Sequence, residues 1–130
     1  MANAVVMTGY GPPEVLQWAA VPLPEPGQGQ IRIEVRAAGI SPTDLALRAG
    51  YLKEIPLPPD AVLGFEAAGV TLSEPTPGRA PGAPDETIAL LAEGRLRLRA
   101  HQSMPMQRAA EAHRQLESGT AHERIVLTLP

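Results

Sequence analysis

The sequence predicts a mainly β fold of the α+β class, with two or three short helices. Three observations carry this. The stretch 30–37, QIRIEVRA, alternates apolar and charged residues with a period of two, the pattern of a strand with one buried and one wet face. The chain holds 15 prolines and 12 glycines in 130 residues, well above average usage, which cuts it into short segments. Aromatic residues make up only 3% of it, as Phe65, Trp18, Tyr10 and Tyr51, so Val, Leu, Ile and Ala must build the core.

The elements follow in order. AVVMT (4–8) and VLQWAA (15–20) read as strands joined by the turn GYGPPE. VPLPEPGQGQ (21–30) is a proline-rich connection, because each proline removes an N–H and holds its predecessor extended. In the strand 30–37, Ile31, Ile33 and Val35 share one face, and Arg32, Glu34 and Arg36 the other. SPTDLALRAG is a short helix: Ser41 is the N-cap, Pro42 the first helical residue, Asp44 the partner in an S-x-x-D box and Gly50 the stop. Residues 54–70 form a loop leading into a strand that begins near Ala67.

Residues 73–84, SEPTPGRAPGAP, have linker composition. They divide one 130-residue domain into an N-terminal part, 1–72, and a C-terminal part, 85–130. The latter reads as a helix from Asp85 to Gly94, with Ile88, Leu91 and Ala92 on one face. The strand RLRLRAH follows, with Arg95, Arg97 and Arg99 on a solvated face. A second helix, SMPMQRAAEAHRQLESG, starts near Pro105, carries Met106, Ala109, Ala110, His113 and Leu116 as its apolar stripe and ends at Gly119. RIVLTLP is the last strand.

Bulk properties narrow the functional classes. A net charge of −3 offers no basic stripe for phosphates, so nucleic acid is not an expected partner. With no cysteine there is no disulfide, thiolate nucleophile or Cys-ligated zinc. No apolar run approaches the ~20 residues of a membrane span, and MANAVVMTGYG lacks the basic start and apolar core of a signal peptide. A cytoplasmic protein with no membrane partner is expected.

Two stretches resemble one family. AVVMTGYGPPEVLQWAAVPLPEPGQGQIRIEVRAAGISPTDLALRAGYL, continued by LPPDAVLGFEAAGV, is similar to the start of the GroES-like catalytic domain of medium-chain dehydrogenases/reductases. LLAEGRLRLRAHQSMPMQRAAEAHRQLESGTAHERIVLTL resembles their C-terminus. The nearest branch is that of the zinc-free quinone oxidoreductases and enoyl reductases. The resemblance implies a GroES-like partial β-barrel.

It also implies what has been removed. Full-length members hold a Rossmann domain between these ends and use NADPH. Here the matches, 4–70 and 86–129, leave only residues 71–85 between them, whereas one βαβ unit needs about 30. No G-x-G-x-x-G is present, and the prolines of GRAPGAP withhold the N–H groups a pyrophosphate needs. No Rossmann domain and no cofactor are expected. The barrel strands that follow GFEAAGV in the family, including G-D-R-V, are also lacking. A barrel so reduced exposes strand edges, which predicts a homodimer through them.

The family places its substrate cleft by the helix 42–49. Zinc-dependent relatives carry Cys at the position of Ser41 and His at that of Phe65; a hydroxyl and a phenyl ring are not zinc ligands. His101, His113 and His122 are too widely spaced for a compact metal motif, and His113 reads as a packed residue on an apolar face. Ser41 and Asp44, besides capping the helix, are candidate catalytic residues. Tyr51 is a third, because a phenol of pKa ~10 is a donor at neutral pH. Arg48 is a candidate for holding an acidic group of a substrate. Phe65 and Glu66 complete the candidate substrate-binding set; Glu66 would act as acid or base only if burial raised its pKa. The implied activity is non-redox: binding an enone, quinone or polyketide-like compound and promoting its addition, cyclisation or isomerisation. A non-catalytic interaction module, and a reductase whose Rossmann half comes from another chain, are the alternatives.

Overall fold

A computed structural model describes residues 1–71, 92–95 and 100–130. The first alternating segment forms β1, Ala2–Met7, and the second forms β2, Leu16–Val21, after a 3-10 turn at Pro13–Val15. They pair antiparallel, from Ala2 opposite Val21 to Met7 opposite Leu16. Inside the expected loop 54–70 lies a two-residue strand, β4, Ala61–Val62, which pairs with the other edge of β1. The order in this first sheet is β2-β1-β4.

The second sheet joins the two ends of the chain. Its strands are β3, Ile33–Gly39; β5, Ala67–Thr71; β6, His101–Pro105; and β7, Arg124–Thr128, in the order β5-β3-β7-β6. β3 and β7 are antiparallel, whereas β6 and β7 are parallel. A parallel pair needs a crossover, and α2, Ala109–Glu117, provides it. Its first turn is a 3-10 segment at Met106–Arg108. α1, Pro42–Ala49, leaves the end of β3.

This architecture is the mainly β, α+β fold expected, with two corrections. The segment Ser103–Pro105 belongs to β6 rather than to the following helix. Pro105 can sit there because its strand is an edge of the sheet among the described residues. The second correction concerns β3. Its pairing with β5 slips by one residue between Val35 and Ala37, a bulge at Arg36. The slip resets the alternation, so both Val35 and Ala38 reach the core. Ile33, expected inside, is 41% exposed; it stands at the start of β3, beyond residues 37–39 with which β7 pairs.

The core lies where α2 packs onto the second sheet. Ile40, Met104, Met106, Ala109, Ala112, Ile125 and Leu127 form it, with Val5 and Trp18 of the first sheet against it. α1 has the caps its sequence calls for. The capping box joins Ser41 and Asp44, and Gly50 ends the helix in the left-handed conformation at φ 85°. The linker 73–84, most of the helix expected at 85–94, and Arg97 and Arg99 lie outside the described residues. Arg95 is exposed and pairs with Glu93 at 3.2 Å. Among the described residues no helix is long and apolar enough to cross a membrane.

Candidate functional site

Ser41 and Asp44 meet at the start of α1. The Ser41 hydroxyl donates to Asp44 Oδ2 at 2.8 Å, and the Ser41 backbone N–H donates to the same oxygen at 2.7 Å. Asp44 is only 3% exposed, and its other oxygen, Oδ1, is buried without a hydrogen-bond partner among the described residues. Such an orphan is uncommon, because an unmade bond to a buried charged acceptor is costly.

Tyr51 is elsewhere. It follows the C-terminus of α1, about 12 Å from the N-terminus of an eight-residue helix, and is 80% exposed. The three residues nominated as catalytic are thus split between the two ends of one helix. Nearby in sequence, the Lys53 ammonium lies over Tyr10, 5.6 Å from the ring centroid.

Arg48 is the largest departure from the sequence reading. A residue expected to hold an acidic ligand is 1% exposed. Its Nε donates to Nδ1 of His113 at 3.2 Å, Nη1 to the carbonyl of Gly11, and Nη2 to the carboxylate of Glu117. The Gly11 N–H returns a bond to the Arg48 carbonyl at 3.0 Å. All three guanidinium nitrogens serve the protein, and Arg48 ties α1 to α2 and to the β1–β2 turn. Charge at these positions gave no sign of this; only the bond partners, up to 69 residues away, reveal it. His113, in turn, is the packed histidine its helix face implied, 4% exposed. Burial, and then the positive charge of Arg48, lower its pKa from the ordinary 6.5 to about 4, against a small opposing pull from Asp44.

Phe65 and Glu66 border a cleft of about 450 Å³, whose other walls include Val62, Leu63, Met106 and Leu129. Glu66 is exposed rather than buried, so the condition for its acid–base role is not met; its carboxylate pairs with Arg124. The pair lies across Gly39, where a Cβ would stand 2.8 Å from Glu66 Oε2 and 3.0 Å from Arg124 Nη2. Beside the cleft is a small pocket of about 50 Å³ lined by Asp44 and His113. Val5, Ala38, Leu63, Gly64 and Leu127 line both spaces. An apolar cleft and a small pocket with a polar end thus share a wall. Sequence reasoning missed His113 as part of that end, because its helix stripe explains it equally well as core.

The zinc-binding dehydrogenase family model matches residues 10–127. This chain belongs to that family. A synaptic vesicle membrane protein VAT-1 homolog-like protein of Mus musculus is 37% identical over 68 residues, 52% of this chain and 16% of the relative. A quinone oxidoreductase of Salmonella typhimurium is 40% identical over 70 residues, 54% of this chain and 21% of its own length. The structure of an NAD-dependent alcohol dehydrogenase superposes with a TM-score of 0.53 at 39% identity, covering 62% of this chain and 24% of that one. The chain spans no more than about a quarter of any of the three. These likenesses place it among the medium-chain dehydrogenases/reductases, in their GroES-like catalytic domain.

The family's name implies zinc, and the donor set here does not suit it. Ser41 and Phe65 supply no ligand, and among the described residues no group of three His, Asp or Glu side chains converges on one point. The dinucleotide fares no better among those residues. The parallel unit β6–α2–β7 turns from strand to helix through Pro105, Met106, Gln107 and Arg108, without the glycines that let a backbone approach a pyrophosphate.

Proposed function

We propose that this member of the family is a small-molecule binding domain whose ligand is an apolar carbonyl compound, an enone, quinone or related polyketide-like molecule. The cleft beside Phe65 and Glu66 is the observation that supports it: about 450 Å³ of mainly apolar wall, the size and character of an organic ligand site. The name of the quinone oxidoreductase it resembles points to the same ligand class. Ser41 and Asp44, a hydroxyl on a carboxylate, suit proton movement in an addition, cyclisation or isomerisation, which needs no hydride. Tyr51, exposed at the far end of α1, and Arg48, held in the core, take no part in this reading.

Titration with chalcone and with 1,4-naphthoquinone, followed by Trp18 fluorescence, tests it. Saturable micromolar binding, weakened about tenfold or more by Phe65→Ala, is expected. Absence of binding at the solubility limit of both would overturn it. A reductase assembled with a separate dinucleotide-binding chain is the second reading, favoured by the small share of its relatives that this chain spans. Micromolar NADPH binding by the chain alone would contradict both.

We also propose a homodimer through strand edges. β5 pairs with β3 alone among the described residues, and its Val70 is exposed. Light scattering should give twice the 13.7 kDa chain mass; a monomeric mass at high concentration would end this proposal.

A further inference from the structure

Two residues that line the pocket beside the cleft carry hydrogen-bonding capacity that no described residue uses. Asp44 Oδ1 is a buried acceptor with no donor. His113 supplies the complement. Arg48 Nε donates to its Nδ1, so Nδ1 carries no proton and the neutral ring holds its N–H on Nε2. No described residue accepts from Nε2. Both side chains are more than nine-tenths buried and both line the same space of about 50 Å³. The remaining walls, Val5, Leu16, Ile40 and Leu63 among them, are apolar.

A carboxylate oxygen wants a donor, and an imidazole N–H wants an acceptor. A hydroxyl is the smallest group that is both. A carbonyl would satisfy only the histidine and leave the carboxylate facing a second acceptor. An ammonium would leave the histidine unmatched, and a carboxylate would repel Asp44. The volume accommodates such a group with little to spare, since one water needs at least about 10–15 Å³. The shared walls Ala38, Leu63, Gly64 and Leu127 bring this pocket against the cleft.

We propose that the Asp44–His113 pocket is a hydroxyl-recognition subsite, and that the ligand of the cleft is an apolar carbonyl compound bearing a phenolic or enolic hydroxyl. This rests on the reading of the cleft as a carbonyl-compound site. The hydroxyl donates to Asp44 Oδ1 and accepts from His113 Nε2. Ser41 keeps Asp44 Oδ2 occupied and Arg48 keeps Nδ1 occupied, so each partner has one fixed free position. His113 remains neutral at physiological pH, since its pKa is lowered to about 4, and its role as an N–H donor beside Asp44 is constant there.

Three enones test this: chalcone, 4-hydroxychalcone and 4-methoxychalcone, titrated against the full chain. The expected result is that the phenol binds at least tenfold more tightly than its methyl ether, the gain of a charge-assisted bond made in a buried site. In Asp44→Asn the preference should fall to threefold or less. Equal affinity for phenol and ether in the wild type overturns the subsite while leaving the cleft reading intact; a water molecule held in the pocket gives this outcome. No binding of any of the three overturns the cleft reading and the subsite with it. Because Asp44→Asn also alters a helix cap, a second measurement uses the wild type alone. The His113 imidazole ¹⁵N resonances should report the Nε2–H tautomer and shift on adding 4-hydroxychalcone but not on adding the ether. Equal shifts with both refute the proposal.

Discussion

Arg48 and His113 are joined side chain to side chain, Nε to Nδ1 at 3.2 Å, across 65 residues of sequence. The bond couples the N-terminal half of the chain to the C-terminal half. It decides which nitrogen of the imidazole is protonated, and it holds the N-terminal helix against the C-terminal one. Two roles proposed for the molecule, its stability and its choice of ligand, depend on this contact.

Arg48→Met should destabilise the fold by roughly 3 kcal/mol, because it leaves a buried imidazole nitrogen, a backbone carbonyl and the Glu117 carboxylate without their donor. Arg48→Lys should recover little, since one ammonium cannot serve three acceptors arranged for a planar fork. Urea unfolding measures both. Had Arg48 been a ligand-binding residue, these variants would lose affinity at unchanged stability.

The lowered pKa of His113 makes stability pH-dependent with a definite sign. The unfolded chain takes up a proton near pH 6.5, the folded one only near 4. Stability from this group is complete above pH 6.5 and is lost as the pH falls from there towards 4, by roughly 3 kcal/mol at most. Chemical denaturation at pH 7, 6 and 5 should trace the decline. His113→Gln, whose amide oxygen can still accept from Arg48, should flatten it.

Two glycines of the second sheet should respond differently to alanine. At Gly69 a Cβ would overlap the carbonyl oxygen of Glu34 in the neighbouring strand, and backbone cannot step aside. Gly69→Ala should cost roughly 2–4 kcal/mol. At Gly39 the obstruction is the tips of Glu66 and Arg124, an exposed ion pair that can swing away. Gly39→Ala should cost under about 1 kcal/mol. Thermal denaturation of the two variants, compared side by side, checks the contrast.

The parts of the fold that could be read from sequence are those fixed by local chemistry. Ser41, Pro42, Asp44 and Gly50 specify α1 within ten residues, and the helix is there with both caps. The alternation around Ile31–Arg36 gave a strand, but not its buried face, because the bulge at Arg36 depends on its pairing with β5 and the reach along it on β7, both distant in sequence. The same divide runs through the site. Asp44 stood out as a capping carboxylate, and nothing local said that one of its oxygens would be left without a donor. Arg48 read as a charge for an acidic ligand because a guanidinium enters a core only when acceptors await it, and those come from Gly11, His113 and Glu117. Tyr51 followed the helix in sequence, yet the helix itself carries it away from Ser41.

The position of β7 makes it the strand that closes the second sheet. Arg124–Thr128 lies between β3 and β6, and Leu129 N–H donates to the Arg36 carbonyl at 2.9 Å. Its neighbours in the sheet are all translated first, and none of them can close it. β5 can pair with β3, and β1 with β2, before β7 exists, but β6 has no other partner among the described strands and β3 keeps one edge open. The sheet therefore reaches its full width only when β7 docks, and that one segment controls when β3 and β6 lose their open edges.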